Sequence, residues 1–164
     1  MRDADGNEED RRGTVSVLNG PAPEMQMLGD QDVETSAVAE WIKGMIADGI
    51  EAEEIGVFVR SEAELARART AVRQAGGTVL ELSDRVEDRS GRVSIGTMHL
   101  AKGLEFKAVV VMACDDDILP LQARVETAAD DSELTEVFET ERHLFYVACT
   151  RARAWLRRQS FSRT

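Results

Sequence analysis

The order of its segments predicts an α/β chain: a mostly parallel sheet covered by helices on both faces. Two observations carry this. Short β-rich runs (Ile55–Val59, Thr78–Leu82, Arg92–Ile95, Ala108–Met112) alternate with stretches whose apolar residues recur every three or four positions. Strands alternating with helices at that spacing form parallel sheets, because each helix carries the chain back to the same edge. The 164 residues, 43% hydrophobic and 31% charged, suffice for one domain with a real core. In such sheets ligands bind at the carboxyl ends of strands.

Taken in order, MRDADGNEEDRRG is dense in charge with almost nothing to bury, and residues 1–13 are expected to be a disordered leader before a domain at 14–164. Thr14–Val17 reads as a short strand, and Pro21 and Pro23 mark a linker before a second one, Glu24–Leu28. Val33, Ala37, Val38, Trp41, Ile42, Met45 and Ile46 share one helical face, with Gly49 as the stop. IGVFV at 55–59 is apolar throughout, as a strand buried on both faces must be. Ser61 is expected to cap a helix over Glu62–Gln74 that ends at Gly76-Gly77, and the three further strands follow. Ser132 is expected to cap a helix whose apolar positions include Leu134, Val137, Phe138, Phe145 and Ala148. Trp41, Phe145 and Tyr146 are assigned to the core, and Cys149 is read as a small buried residue. Ala154–Phe161 is a terminal strand, placed at an edge by Arg157 and Arg158.

A net charge of −11 repels nucleic acid as a whole, so any DNA contact must be local. No apolar run approaches a bilayer span and the opening residues do not form a secretory signal, which makes a cytoplasmic location and no membrane partner the expectation. Cys114 and Cys149 stand without further ligands at metal spacing, and no metal site is expected; Asp115-Asp116-Asp117 reads as a solvated loop.

Two segments hold the polar residues that carry chemistry. Strand Val93–Ile95 runs into Gly96-Thr97-Met98-His99-Leu100-Ala101-Lys102-Gly103-Leu104-Glu105-Phe106. Gly96 permits a tight turn, Gly103 a left-handed one, Thr97 and His99 offer short donors, and the Glu105 carboxylate suits sugar hydroxyls. The second segment is Glu139-Thr140-Glu141-Arg142-His143-Leu144-Phe145-Tyr146-Val147-Ala148-Cys149-Thr150-Arg151-Ala152-Arg153, in which Arg151 emerges at a helix end with a fork of donors matched to phosphate. Taken alone, Arg151 would be a solvated arginine favoured by the helix dipole, and His99 a satisfied histidine beside a strand.

TMHLAKGLEF resembles motif V of the UvrD/Rep-type superfamily 1 helicases, ERHLFYVACTRAR resembles their motif VI, and IGVFVRS is similar to the strand of motif IVa. The resemblance covers Glu34 to Ser160 and implies the second RecA-like motor domain of a DNA-dependent ATPase, in which ATP with Mg2+ sits between two such domains. It implies that Arg151 is the arginine finger for the γ-phosphate and that Glu105 holds the ribose with Gly103 beside it. Arg142 would support the cleft through an ion pair, and Thr97 and His99 would touch single-stranded DNA. Arg60, which ends a strand on the ligand-binding edge of the sheet, is by that position a candidate for a DNA or nucleotide contact. No G-x-x-x-x-G-K-[ST] occurs in the chain, so it is expected to be inactive alone and to bind ATP only together with an N-terminal P-loop motor domain. The interval Leu82–Arg92 is too short for the large accessory subdomain that the resemblance would place there. The alternative is a non-catalytic module of the same fold that binds a partner protein.

Overall fold

The computed structural model describes residues 21–85, 88–115 and 118–161. The expected leader and the strand at Thr14–Val17 lie outside them. Among the described residues six strands, β1 (Glu24–Leu28), β2 (Ile55–Val59), β3 (Thr78–Glu81), β4 (Arg92–Thr97), β5 (Phe106–Val111) and β6 (Ala152–Phe161), form one sheet in the order β1-β6-β5-β2-β4-β3. Every pairing in it is parallel. The helices are α1 (Gln31–Ala47), α2 (Leu65–Gln74), α3 (Gln122–Glu126) and α4 (Asp131–Cys149).

The alternation of side chains along a strand divides the core in two. Ile55, Val57 and Val59 of β2, with Val93 and Ile95 of β4 and Ala108 and Val110 of β5, face α1 and α2, where Val38, Ile42, Ala68 and Val72 cover them. Phe58, Val109 and Val111 point the other way, under Met98, Ala101 and the Ala148 end of α4. Phe58 meets Phe106 edge to face, with ring centroids 5.7 Å apart. Each fully buried side chain of this size contributes about 1.5–3 kcal/mol.

A short 3-10 turn at Met98–Ala101 begins the return from the carboxyl end of β4 to the amino end of β5. Residues 98–105 are therefore the whole crossover that passes over β2, with no long helix in it.

Buried ion pairs tie the layers together. Arg67 of α2 pairs with Glu34 of α1, with Glu64 at 2.9 Å and with Asp115 at 3.1 Å. Glu34 also accepts the Ala113 N–H at 2.9 Å, which holds Ala113 at a φ of 56°, a conformation that a side chain normally disfavours.

Several local expectations are corrected. α1 starts at Gln31, two residues ahead of the first apolar position Val33, and Asp30 caps it, its carboxylate accepting the Val33 N–H at 2.8 Å. Ser61 makes no side-chain cap: a 3-10 turn at Glu62–Glu64 comes first and α2 starts at Leu65. Asp130 rather than Ser132 caps α4, accepting from the N–H groups of Ser132 and Glu133. β6 is an interior strand, because β1 pairs along it and takes the edge. Its arginines are tolerated there because Arg157 reaches Glu24 at 3.3 Å and Arg158 lies 5.3 Å from the Phe145 ring centroid. Asp115 is buried in the Arg67 network instead of solvated. Tyr146 is 64% exposed, so it is not a core residue, while Trp41 is.

Candidate functional site

The residues singled out in the sequence separate to two edges of the sheet, not one. Thr97 ends β4 and His99 follows it, so both lie at the carboxyl edge, with Arg60 just past β2. Gly103, Glu105 and Arg151 lie at the opposite, amino edge, ahead of β5 and β6. Of the candidate residues, only Thr97, His99 and Arg60 lie at the carboxyl edge, where the sequence placed the ligand site. The six-residue strand β5 sets the edges roughly 15–20 Å apart.

At the amino edge the two motif segments are joined by backbone. The Phe106 N–H donates to the Arg151 carbonyl at 3.0 Å, which puts Glu105 and Arg151 on adjacent strand starts. Gly103 turns the chain into this edge with a φ of 80°, open to glycine and strained for other residues. Glu105 is 60% exposed and pairs with Arg153. Gly103, Glu105, Phe106 and Arg153, with Glu53, Glu54, Asp88, Arg89 and Lys107, line an open groove of about 650 Å³, and Arg151 is not among its lining residues. Lys107 is bound to Glu54 at 2.9 Å.

Arg151 is folded onto the end of its own helix. Its Nε donates to the Val147 carbonyl and its Nη2 to the Thr150 hydroxyl, both at 3.1 Å. Helix carbonyls and a hydroxyl are weak partners for a guanidinium, so an anion arriving at this edge would compete for it readily. Tyr146 stands exposed one turn earlier on α4.

At the carboxyl edge Arg60 is not available as a surface contact. It is 5% exposed, and its Nε and Nη2 donate to the two oxygens of Glu141 at 2.5 and 2.6 Å. Arg124 adds a bond to the same carboxylate at 2.9 Å and the Leu121 N–H another at 3.4 Å. Burial alone would raise the pKa of Glu141; its bonds from Arg60 and Arg124 outweigh that and hold it below the usual range. Thr97 is 9% exposed, whereas His99 is exposed. Partial loss of solvent around its ring first, and then the charge of Arg60, hold the largely exposed His99 imidazole below its usual pKa against the pull of Glu141. Arg142 is exposed and makes no ion pair among the described residues. It sits nine positions before Arg151, about 13 Å away along the helix, so the structure does not bring it to the Glu105 groove.

The sequence reading missed Glu141, although a signal was present. Val137, Glu141, Leu144 and Ala148 recur at helical spacing, so a carboxylate on the inward face demanded a buried partner. Exposure of Tyr146 had no such signal.

A parallel sheet with this motif-bearing crossover and terminal helix defines a class, the α/β domain found at the C-terminus of DNA helicases. The same fold occurs in the C-terminal domain of a possible DNA helicase from Lactobacillus plantarum WCFS1, with a TM-score of 0.60, 22% identity, and coverage of 88% of this chain and 79% of that one. The sequence model of the UvrD-like helicase C-terminal domain matches residues 77–158, half of the chain, and the chain belongs to that family. It is 46% identical over 67 residues to ATP-dependent DNA helicase UvrD1 of Mycobacterium leprae. It is 44% identical over 64 residues to the putative ATP-dependent DNA helicase YjcD of Bacillus subtilis, and 42% over 65 residues to PcrA of Staphylococcus aureus. These stretches cover 41%, 39% and 40% of this chain and 8% of each relative. Among the described residues no helix is long and apolar enough to cross a membrane.

Proposed function

We propose that this chain is the C-terminal motor domain of an ATP-dependent superfamily 1 DNA helicase or translocase, completing an ATP site shared with an N-terminal P-loop domain. The observation that carries this reading is the Phe106–Arg151 backbone bond, which brings a carboxylate and a weakly held guanidinium to one edge. ATP with Mg2+ supplies the phosphoanhydride whose hydrolysis drives the cycle. In this reading Glu105 accepts hydrogen bonds from ribose hydroxyls, Gly103 lets the backbone approach, and Arg151 leaves Val147 and Thr150 to stabilise charge developing on the transferring phosphoryl group.

The residues fit the ribose and the phosphate end of the nucleotide but not the metal. Among the described residues no group of three or more His, Cys, Asp or Glu side chains could hold an ion; in this reading the Mg2+ travels with the nucleotide. Thr97 and His99, at the far edge, are the residues proposed to meet single-stranded DNA. Arg60 serves that edge indirectly, by fixing Glu141 and with it α4, the helix that ends at Arg151. Arg142 is proposed to face the partner domain.

The test is ATP turnover with and without single-stranded DNA, for the chain alone and for the chain joined to its upstream P-loop domain. Turnover stimulated by DNA in the joined form only supports the reading. No turnover by two folded, joined halves would overturn it in favour of a partner-binding module.

A further inference from the structure

We infer that Arg153 is a positioning residue for the nucleotide: it holds the Glu105 carboxylate by one oxygen and leaves the other free to accept from ribose hydroxyls. The inference rests on the proposed ribose role of Glu105 and adds a second side chain to it.

Strand pairing creates the contact. Phe106 and Ala152 are partners at the start of β5 and β6, and the bond from the Phe106 N–H to the Arg151 carbonyl closes that start. Glu105 precedes the first of these partners and Arg153 follows the second, so two side chains 48 positions apart in sequence meet at one edge.

The pattern of bonds is what makes the contact useful. Nη2 of Arg153 donates to Oε2 of Glu105, and Oε1 makes no hydrogen bond among the described residues. A carboxylate offers about four acceptor sites, so one guanidinium bond orients the group and leaves Oε1 open to a hydroxyl. Both residues line the groove at the amino edge, with Arg153 68% and Glu105 60% exposed, so a nucleotide reaches the pair without any opening of the fold. An exposed pair of this kind adds little to stability, and its substitution leaves the fold in place. Its value lies in order. A solvated glutamate without a partner samples many rotamers that binding must remove, and a partner that already holds one oxygen lowers that cost.

The other cations of this edge are committed elsewhere. Lys107 holds both oxygens of Glu54, at 2.9 and 3.0 Å, the Arg89 guanidinium lies 5.1 Å from the Phe106 ring centroid, and Arg151 is folded back on Val147 and Thr150. Among the described residues Arg153 is the cation that meets Glu105. The two arginines of this turn then divide the nucleotide between them: Arg151 serves the phosphoryl group, and Arg153 serves the sugar through a carboxylate. A direct phosphate contact by Arg153 would be a different role, and sugar discrimination separates the two.

The experiment is steady-state hydrolysis of ATP and of 2′,3′-dideoxy-ATP by the joined two-domain protein on saturating single-stranded DNA. Wild type is expected to prefer ATP in kcat/KM, because a site that hydrogen-bonds a hydroxyl rejects the analogue lacking it. Arg153→Ala should raise KM for ATP roughly tenfold, the size of one hydrogen bond to a charged group, with kcat largely kept. KM for the dideoxy analogue should move much less, so the preference for ATP shrinks. Arg153→Lys, which keeps the charge and a donor, should restore part of it. In a Glu105→Ala background Arg153→Ala should not change the preference further. An equal rise in both KM values would mark a phosphate contact or a general structural role and overturn the inference, as would a full preference in Arg153→Ala when Glu105→Ala abolishes it. A preference that survives Glu105→Ala would overturn the ribose role itself, and absence of turnover with both nucleotides would overturn the motor reading; the inference falls with either.

Discussion

Glu105 and Tyr146 show how far single residues could be read in advance. Glu105 stands out in the sequence as a candidate because Gly103 and a β-branched strand bracket it within a long motif. Its place at the amino edge was not legible, since that depends on eight residues crossing the sheet without a helix. Tyr146 was misassigned because aromatic size argues for burial, whereas a helix covering one face of a sheet leaves its outer positions to solvent. Two outcomes follow at this scale. Glu105→Ala should weaken nucleotide binding by the joined motor while leaving the thermal melt of the chain in place, read by a titration with a fluorescent ATP analogue. Tyr146→Ala should change the stability of the chain by no more than about 0.5 kcal/mol, read by denaturant unfolding, because the side chain is exposed.

The elements divide in the same way. β2, with five buried residues, and α1, with its apolar face, were legible because burial on two faces or one face writes a distinct period into the sequence. The caps were less so: Asp130 and Ser132 are both good capping residues, and only the backbone turn decides between them. α3 carries no buried residue and thus no apolar period to read. The joint between β2, α3 and α4 rests on Glu141, and this yields a stability prediction. Glu141→Gln leaves the buried Arg60 without its counter-charge and should cost about 3–5 kcal/mol in denaturant unfolding, with much of the loss recovered when Arg60→Met is added. The pH dependence has a definite sign. Because Glu141 is held below its ordinary pKa of 4.5, its contribution is complete above about that pH and is lost as pH falls through the lower, folded-state value. The stability gap between wild type and Glu141→Gln should therefore narrow in acid. A gap that is constant from neutral pH to well below 4.5 would show that the carboxylate is not charged in the fold.

At the scale of the whole molecule, the parallel order of the sheet was legible, since alternating strands and helices leave few other topologies. The separation of the site residues to opposite edges was not, and it matters most for function. Contacts proposed for DNA and for ATP are linked by a crossover that spans the sheet and by α4, whose middle is clamped to the carboxyl edge by Arg60 and whose end presents Arg151 at the amino edge. In the proposed motor reading, these two elements are the connections through which a shift at one edge would reach the other. The most direct test is single-turnover ATP hydrolysis by the joined two-domain protein on single-stranded DNA, comparing wild type with Arg151→Ala alongside equilibrium nucleotide binding. The account predicts a rate loss on the order of 10³-fold or more with nucleotide affinity largely kept, and wild-type turnover by the Arg151→Ala protein would contradict it.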